Sequence, residues 1–268
     1  MGYPAGLHVL ERAAGAPGAP AVVFVHGSLD RAESFGRVLR RLPEVHVVAY
    51  DRRGYQGSRE AGVVGLQGHI ADLVEILAHV RSLGVASVSA IGHSVGGDVA
   101  IGAALADPGA CDSLGAFEPP MPWLGFRRTA PGDDRPRGWS PLAEDPGDEA
   151  QRFFSRMLSP SAWRRLSEAA RVGRRADGPA LVADLRSLRG DPPFAVTDLA
   201  VPVVFGRGGA ASAAHHRDAV AWLGAHVPGA ETFEVDAAQH GAHLSHPDHF
   251  ATFTRRVIER VPRSRRPT

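Results

Sequence analysis

The chain has 268 residues, of which 44% are hydrophobic and 22% are charged, and its formal net charge is +1. This length fits one α/β domain with a sizeable core, and the near-zero charge excludes a global basic field for nucleic acid. The single cysteine, Cys111, excludes an intrachain disulfide. Since no apolar run could span a bilayer and no signal-peptide pattern opens the chain, we expect a cytoplasmic protein that binds neither membrane nor nucleic acid.

Strand-like apolar runs alternate with helical patterns through the first 120 residues. The predicted strands comprise residues 7–12, 21–25, 45–50, 86–91 and 113–117. The predicted helices comprise residues 33–42, 69–83 and 97–106. In the second of these helices, apolar residues recur at helical spacing. The alternation is typical of a mostly parallel sheet that carries helices on both faces.

The pattern changes after residue 120. Residues 121–146 are rich in proline, glycine and charged residues. Three helical patterns follow, at residues 148–158, 161–172 and 178–188. Because a connection of this length is too long for an ordinary loop, residues 121–195 are predicted to form a mainly helical lid.

The strand pattern resumes at residue 201. The predicted strands there comprise residues 201–206 and 231–235, and the predicted helices comprise residues 213–227 and 247–261. Residues 1–120 and 196–268 are therefore predicted to form one core domain around a sheet of about eight strands. The lid is inserted between these two parts of the core.

Residues 92–96 read Gly-His-Ser-Val-Gly, which fits the pattern G-x-S-x-G. A predicted strand precedes this segment and a predicted helix follows it, and that is the setting in which the pattern forms a nucleophile elbow. At such a turn Ser94 projects its hydroxyl outward, and side chains at positions 92 and 96 would collide. The free N–H groups of the following helix would face any negative charge that develops there. The flanking elements disfavour the alternative, a glycine-rich turn with an incidental serine.

Three further segments occur in the order typical of the α/β-hydrolase family. They are His26-Gly27-Ser28, the segment 51–58 that is similar to D-x-R-G-x-G-x-S with one extra residue, and Gln239-His240 after the last predicted strand. With the elbow, these segments make the chain resemble the family from about residue 7 to residue 261. The resemblance implies the α/β-hydrolase fold, with His240 as the base that activates Ser94. It also implies an oxyanion hole formed by the backbone N–H groups of Ser28 and Val95.

The histidines near the end of the chain allow a metal site as an alternative to a catalytic base. They are His240, His243, His246 and His249, and a further pair lies at His215-His216. Imidazole nitrogens at regular spacing could bind zinc, nickel or copper. However, Pro247 interrupts the run, and a three-residue repeat drifts around a helix instead of staying on one face. We therefore expect no metal, with His240 as the base and His243 as a substrate-binding residue that lines the pocket.

The family also has an acidic residue that orients the catalytic histidine, and its position in this chain departs from the usual pattern. In the family it most commonly follows the strand predicted at residues 201–206, and counting from Pro202 puts it at Ala211, which cannot orient an imidazole. Glu118 ends the preceding core strand, where some branches, including the haloalkane dehalogenases, place this acid. The resulting chain order of serine, acid and histidine is the one expected for the family.

Glu118 is therefore the predicted acid, and Pro119 is expected to hold its backbone in an extended conformation. The alternative role for Glu118 is structural, as a cap or ion pair at the strand end. The weaker candidates for the acid are Asp51, Asp218 and Asp236.

The aromatic residues of the lid have two interpretations. They either wall an apolar pocket or form a small core within the lid. The residues concerned are Trp123, Phe126, Trp139, Phe153, Phe154 and Trp163. Of these, Trp123 and Phe126 are predicted to bind substrate.

These features predict a serine hydrolase of the esterase or thioesterase type. It would cleave a carboxylic ester, thioester or related acyl bond of a small apolar substrate through an acyl-enzyme on Ser94, without a cofactor. A serine at the elbow argues against dehalogenases and epoxide hydrolases, which use aspartate there. Perhydrolysis, lactone opening and carbon–carbon bond hydrolysis stay open. A non-catalytic binding protein that has kept the fold is the alternative from another class.

Overall fold

Seven strands form one sheet in the computed structural model, which describes residues 2–124, 141–210 and 214–262. The strands are β1 (Val9–Arg12), β2 (Ala21–Val25), β3 (His46–Tyr50), β4 (Val88–His93), β5 (Ser113–Phe117), β6 (Val203–Gly208) and β7 (Glu231–Val235). Their order is β1-β3-β2-β4-β5-β6-β7, and only β1 pairs antiparallel to its neighbour. The mostly parallel sheet is confirmed, with seven strands in the described part of the chain instead of about eight.

Ten α-helices accompany the sheet in the described part of the chain. They are α1 (Gly36–Leu39), α2 (Leu66–Ser82), α3 (Val95–Ala106), α4 (Pro146–Met157), α5 (Pro160–Arg165), α6 (Glu168–Ala176), α7 (Gly178–Ser187), α8 (Ala214–His226), α9 (Ala242–Ser245) and α10 (Pro247–Glu259). Short 3₁₀ helices lie at Ala32–Phe35, Gln56–Ala61, Pro122–Leu124 and Val196–Asp198. None of the helices in these described ranges is long and apolar enough to cross a bilayer.

Buried apolar residues explain why the central strands form. Every residue of β2, β3 and β5 is buried, as expected for strands that helices cover on both faces. One apolar cluster lies between the sheet and helices α2 and α3, and a second lies between the opposite face and α10. The strand ends that carry the site are thus held by packed structure on both sides.

Helices α4 to α7 lie between β5 and β6 and form the helical insertion. Phe154 and Trp163 pack edge to face in it, with ring centroids 5.5 Å apart. They share a third apolar cluster with Leu29 and Tyr55 of the core. The buried aromatic residues of the insertion therefore join it to the core domain.

Two predicted helices differ from the structure. The helix expected at residues 33–42 is a 3₁₀ turn followed by α1, which starts at Gly36, and a glycine is a poor helix former. The helix expected at residues 161–172 is divided into α5 and α6. Leu166 is extended, and the Ser167 hydroxyl accepts a hydrogen bond from the N–H of Ala170 and starts a new helix.

Candidate active site

Ser94 lies on a strained turn between β4 and α3. Its φ of 54° and ψ of −129° are unusual for a residue with a side chain. A Cβ at Gly92 would lie 2.0 Å from the carbonyl oxygen of Gly96, and a Cβ at Gly96 would lie 2.2 Å from that of Val25. The expected collision is confirmed, because the turn closes only when both positions are glycine.

The turn after β2 lies directly against the elbow. A Cβ at Gly27 would come within 3.0 Å of the Ser94 Cβ, so a side chain there would be crowded. Ser28 and Ser94 line the same cavity, and the buried Val95 is the first residue of α3, whose opening N–H groups have no partner within the helix. The Ser28 hydroxyl donates to Asp184 Oδ2 at 2.7 Å, which leaves the backbone N–H as the remaining donor of Ser28.

Glu118 and His240 are brought together by the ends of β5 and β7. Glu118 Oε2 lies 2.6 Å from His240 Nδ1, and its Oε1 accepts a hydrogen bond of 2.9 Å from the N–H of Gly208. The Glu118 side chain is fully buried, whereas that of His240 is 23% exposed. A carboxylate at Nδ1 fixes the proton there and leaves Nε2 as the basic nitrogen of the ring.

The expected backbone conformation of Glu118 is wrong. Its φ is +46°, in the left-handed region, although Pro119 was expected to keep it extended. Three hydrogen bonds hold it there. Two join its carboxylate to His240 and to the N–H of Gly208, and the third, of 2.9 Å, runs from its own N–H to the carbonyl oxygen of Gly206. Such a conformation costs about 1–3 kcal/mol and persists where surrounding contacts over-determine it.

A second histidine–carboxylate pair lies beside the first. The buried His243 places its Nε2 3.1 Å from Asp30 Oδ2, and Asp30 also accepts a 3.1 Å hydrogen bond from the Ser34 hydroxyl. Burial acts to raise the pKa of Asp30, but the hydrogen bond from His243 and the neighbouring histidines outweigh it and hold that pKa well below its usual range. No motif marks Asp30, although its position three residues after Gly27 places it at the mouth of the site.

His93 lies between the two histidine–carboxylate pairs. Its ring centroid is 4.6 Å from that of His240 and 4.3 Å from that of His243. Its Nε2 lies 2.8 Å from the carbonyl oxygen of His240, to which it donates. Burial, followed by the charges of His243 and His240, holds the pKa of His93 well below its ordinary value. His93 is therefore a neutral support of the His240 loop.

The residues of the histidine repeat do not form one ligand set. His240 faces Glu118 and His243 faces Asp30, and the rings of His246 and His249 lie 6.1 Å apart at the start of α10. Candidate ligand atoms approach within 4.8 Å in three groups of the described residues, and two of them include a histidine of the repeat: Asp30 with His93 and His243, and Glu118 with His216 and His240. The metal interpretation of the repeat as a whole thus lacks the geometry that it needs.

A cavity of about 190 Å³ connects these groups. Ser94, His240 and His243 line its floor. The insertion contributes its other wall through Phe153, Phe154, Met157, Leu158 and Arg174. Trp123 lies elsewhere, with its ring edge to face on Phe194 at 5.5 Å, and Phe126 lies outside the described residues.

A buried ion pair fixes the insertion next to the site. Arg52 donates to both carboxylate oxygens of Asp184 in α7, at 3.0 and 2.8 Å, and both side chains are fully buried. The hydroxyl of Tyr55 donates to the same carboxylate at 2.6 Å. Burial acts to raise the pKa of Asp184, but Arg52 outweighs it and holds that pKa well below its usual range. The sequence around Asp184 carries no motif that would have indicated this role.

The segment 51–58 has a structural role next to this pair. Asp51 Oδ1 accepts from the N–H of Ala32 at 2.8 Å, and its Oδ2 accepts from the N–H of Gly57 at 3.0 Å. The Ser58 hydroxyl donates to the carbonyl of Asp51 at 2.7 Å. Asp51 is therefore occupied in its own loop. Asp218 and Asp236 are both exposed.

A family model matches the sequence of the chain, and solved structures match its fold. A model of the alpha/beta hydrolase family matches residues 22–252. A lipase-esterase related protein from Clostridium acetobutylicum is 15% identical over 94% of this chain and all of its own, with a TM-score of 0.65. An alpha/beta hydrolase from Sphaerobacter thermophilus is 22% identical over 94% of this chain and 96% of its own, with a TM-score of 0.70.

A thermophilic esterase from Thermogutta terrifontis is 18% identical over 95% of this chain and 93% of its own, with a TM-score of 0.67. At these identities the likenesses show the fold. No curated protein matches the sequence.

Proposed function

Because the chain belongs to the alpha/beta hydrolase family, we propose that it is a serine hydrolase that cleaves a carboxylic ester, thioester or related acyl bond. The observation that carries this proposal is the 2.6 Å contact between the buried Glu118 carboxylate and His240 Nδ1. His240 lines the same cavity as the strained Ser94. A nucleophile, a base and a group that orients the base are the parts that acyl transfer requires.

In the first half of the reaction, Ser94 Oγ bonds to the carbonyl carbon while its proton passes to His240 Nε2. The carbonyl oxygen becomes an oxyanion, which the N–H groups of Ser28 and Val95 stabilise. The tetrahedral intermediate collapses, the bond to the alcohol or thiol breaks, and His240 gives its proton to this leaving group. An acyl-enzyme on Ser94 remains.

In the second half, a water molecule attacks the acyl carbon and its proton passes to His240. Collapse of the second intermediate releases the carboxylic acid, and the proton returns to Ser94 Oγ. Glu118 supports both halves because its negative charge stabilises the imidazolium that forms twice per cycle. The helical insertion acts as a lid in this proposal, since its side chains supply the cavity wall opposite the reacting groups.

A fluorophosphonate probe tests the proposal, since it reacts covalently only with an activated serine. We expect the wild-type protein to be labelled and Ser94→Ala to be unlabelled. Ser82→Ala is the matched control, because Ser82 is exposed at the end of α2, outside the cavity lining, and it should be labelled like the wild type. A folded wild-type protein that stays unlabelled would favour the non-catalytic binding protein instead.

A further inference from the structure

We propose that Arg174 is a carboxylate-binding residue of this cavity, so that the enzyme prefers acyl groups that carry a carboxylate. The inference rests on the proposed function and names its substrate class more narrowly. Arg174 lies on α6 and lines the cavity that Ser94 and His240 also line. The guanidinium therefore shares one small space with the reacting groups.

The guanidinium of Arg174 is held in place by two contacts. Its Nη1 donates to the carbonyl oxygen of Leu29, and its Cζ lies 4.8 Å above the ring of Phe154. These contacts use one of the five N–H donors of the side chain and one face of its plane. The remaining donors are available to a ligand in a fixed orientation, which lowers the entropic cost of binding.

Arg174 forms no ion pair within the described residues, although the more distant carboxylates of Asp30 and Asp177 act on its charge. No carboxylate of the described residues lies within 4.0 Å of its guanidinium, whereas Arg175 on the same helix pairs with Asp145 and Asp148. The one anion of the cavity lining, Asp30, is already committed to His243 and Ser34. A half-buried cation that lacks a contact ion pair is costly, and an incoming anion would offset that cost.

The electrostatic environment of Arg174 agrees with this arrangement. Burial is the largest influence and lowers the pKa of its guanidinium, Arg31 lowers it further, and the carboxylates of Asp30 and Asp177 act in the opposite direction. An arginine remains charged at neutral pH in spite of such shifts. A substrate carboxylate would meet a partly desolvated positive charge. Hydrogen bonds between two such charged groups are stronger than those between neutral groups.

The other cavity-lining residues of the insertion favour an apolar acyl chain between the reacting carbonyl and the carboxylate. Phe153, Met157 and Leu158 are apolar and line the cavity next to Arg174. An acyl chain of a few carbons would lie against them, with its reacting carbonyl at Ser94 and its carboxylate at Arg174. The volume of about 190 Å³ suits a half-ester of a short dicarboxylic acid.

The competing explanation is that Arg174 only clamps α6 to the loop at Leu29. Arg171 is the matched control for that role, because it lies on the same helix and its Nη1 donates to the carbonyl of Leu166 at 3.0 Å. It does not belong to the cavity lining. A clamp alone would affect every substrate equally, whereas a carboxylate subsite affects only the anionic one.

The first experiment compares monoethyl succinate with ethyl butyrate, which carries a methyl group in place of the carboxylate. We expect the wild type to have the higher kcat/KM for monoethyl succinate. Arg174→Gln should lower that value roughly 10- to 100-fold, mainly through KM, and change the value for ethyl butyrate less than about threefold. Arg174→Lys should recover part of the loss, and Arg171→Gln should leave both values unchanged. Equal losses on both esters would overturn the inference.

The second experiment measures binding without catalysis. Succinate should raise the Tm of Ser94→Ala and should not raise that of Ser94→Ala/Arg174→Gln. If wild-type protein is not labelled by fluorophosphonate but succinate stabilises it through Arg174, the proposed reaction fails and the carboxylate site stands. If both esters are cleaved equally well and succinate has no effect, the reaction stands and the carboxylate site fails.

Discussion

Glu118 combines three properties that rarely occur in one residue. It is fully buried, its backbone has a φ of +46°, and both of its carboxylate oxygens accept hydrogen bonds. Burial of a charged group and a left-handed backbone are both costly unless surrounding contacts compensate. A residue held at such cost beside an imidazole is typical of a functional site.

We expect Glu118→Gln to lower kcat on an aryl ester by two to four orders of magnitude, since the imidazole loses its orienting charge. The amide can still accept from the N–H of Gly208, so the Tm should change by only a few degrees. The matched control is Asp236→Asn, which neutralises an exposed carboxylate beyond β7. Activity that survives Glu118→Gln and is lost in Asp236→Asn would show that the acid has been placed wrongly.

The contact between Glu118 and His240 could be predicted from the sequence, but the groups around it could not, for a physical reason. Ser94 and His240 have fixed places relative to strands, and Glu118 follows from a strand end once Ala211 leaves the usual position without a carboxylate. Asp30 and Arg174 reach the cavity only through the packing of distant segments, which no local sequence pattern records. The conformation of Glu118 likewise depends on contacts with β6 and the His240 loop, which override the local preference set by Pro119.

Among the elements, strands were easier to predict than short helices. The boundaries of β2, β5 and β7 agree with the predicted ranges, because continuous or β-branched runs between turn residues leave few alternatives. The four-residue helix α9 has no sequence signal, since a single turn is too short to show periodicity. It nevertheless carries His243 towards Asp30, so the unpredicted element contributes to the site.

The attachment of α7 to the core depends on the pair formed by Arg52 and Asp184, and we expect Asp184→Asn to lower the free energy of unfolding by about 3–5 kcal/mol. The reason is that the fully buried Arg52 would lose its counter-ion. Asp145→Asn is the control, because Asp145 is exposed, pairs with Arg175 at the surface, and can cap α4 equally well as asparagine. It should cost less than about 1 kcal/mol.

Urea denaturation of both variants measures the difference. Similar small losses would mean that the insertion does not depend on the buried pair. Because the Ser28 hydroxyl also donates to Asp184, a loss of kcat in Asp184→Asn that exceeds its loss of stability would show that the pair also positions the turn at Ser28.

At the scale of the whole molecule, several histidines are buried in an uncharged state. Burial is the largest cause in each case: it lowers the pKa of His26 to about 3, lowers that of His69, and holds that of His93 well below its ordinary value. These residues lie after β2, on α2 and on β4. Because they belong to different elements of the core, their protonation is linked to unfolding of the whole fold. Their unfolded counterparts take up a proton near pH 6.5.

We therefore expect the stability of the protein to fall as the pH decreases from 6.5 to 5. In this range the unfolded chain binds protons at these histidines and the folded chain does not. The free energy of unfolding therefore increases as the pH rises and decreases on acidification. Each histidine contributes up to about 1.4 kcal/mol per pH unit once its unfolded form is fully protonated. The depressed pKa values of Asp30 and Asp184 act in the same direction, but only near and below pH 4, where unfolded carboxylates bind protons.

Urea denaturation at pH 7, 6 and 5 measures this slope. Replacing the fully buried His26 by Gln should make the slope shallower by the contribution of one histidine, even where the variant is less stable at pH 7. His249→Gln, which removes an exposed imidazole at the start of α10, is the matched control. A free energy of unfolding that stays constant from pH 7 to pH 5 would mean that these imidazoles become protonated inside the folded protein. One of them is His93, which supports the loop of His240.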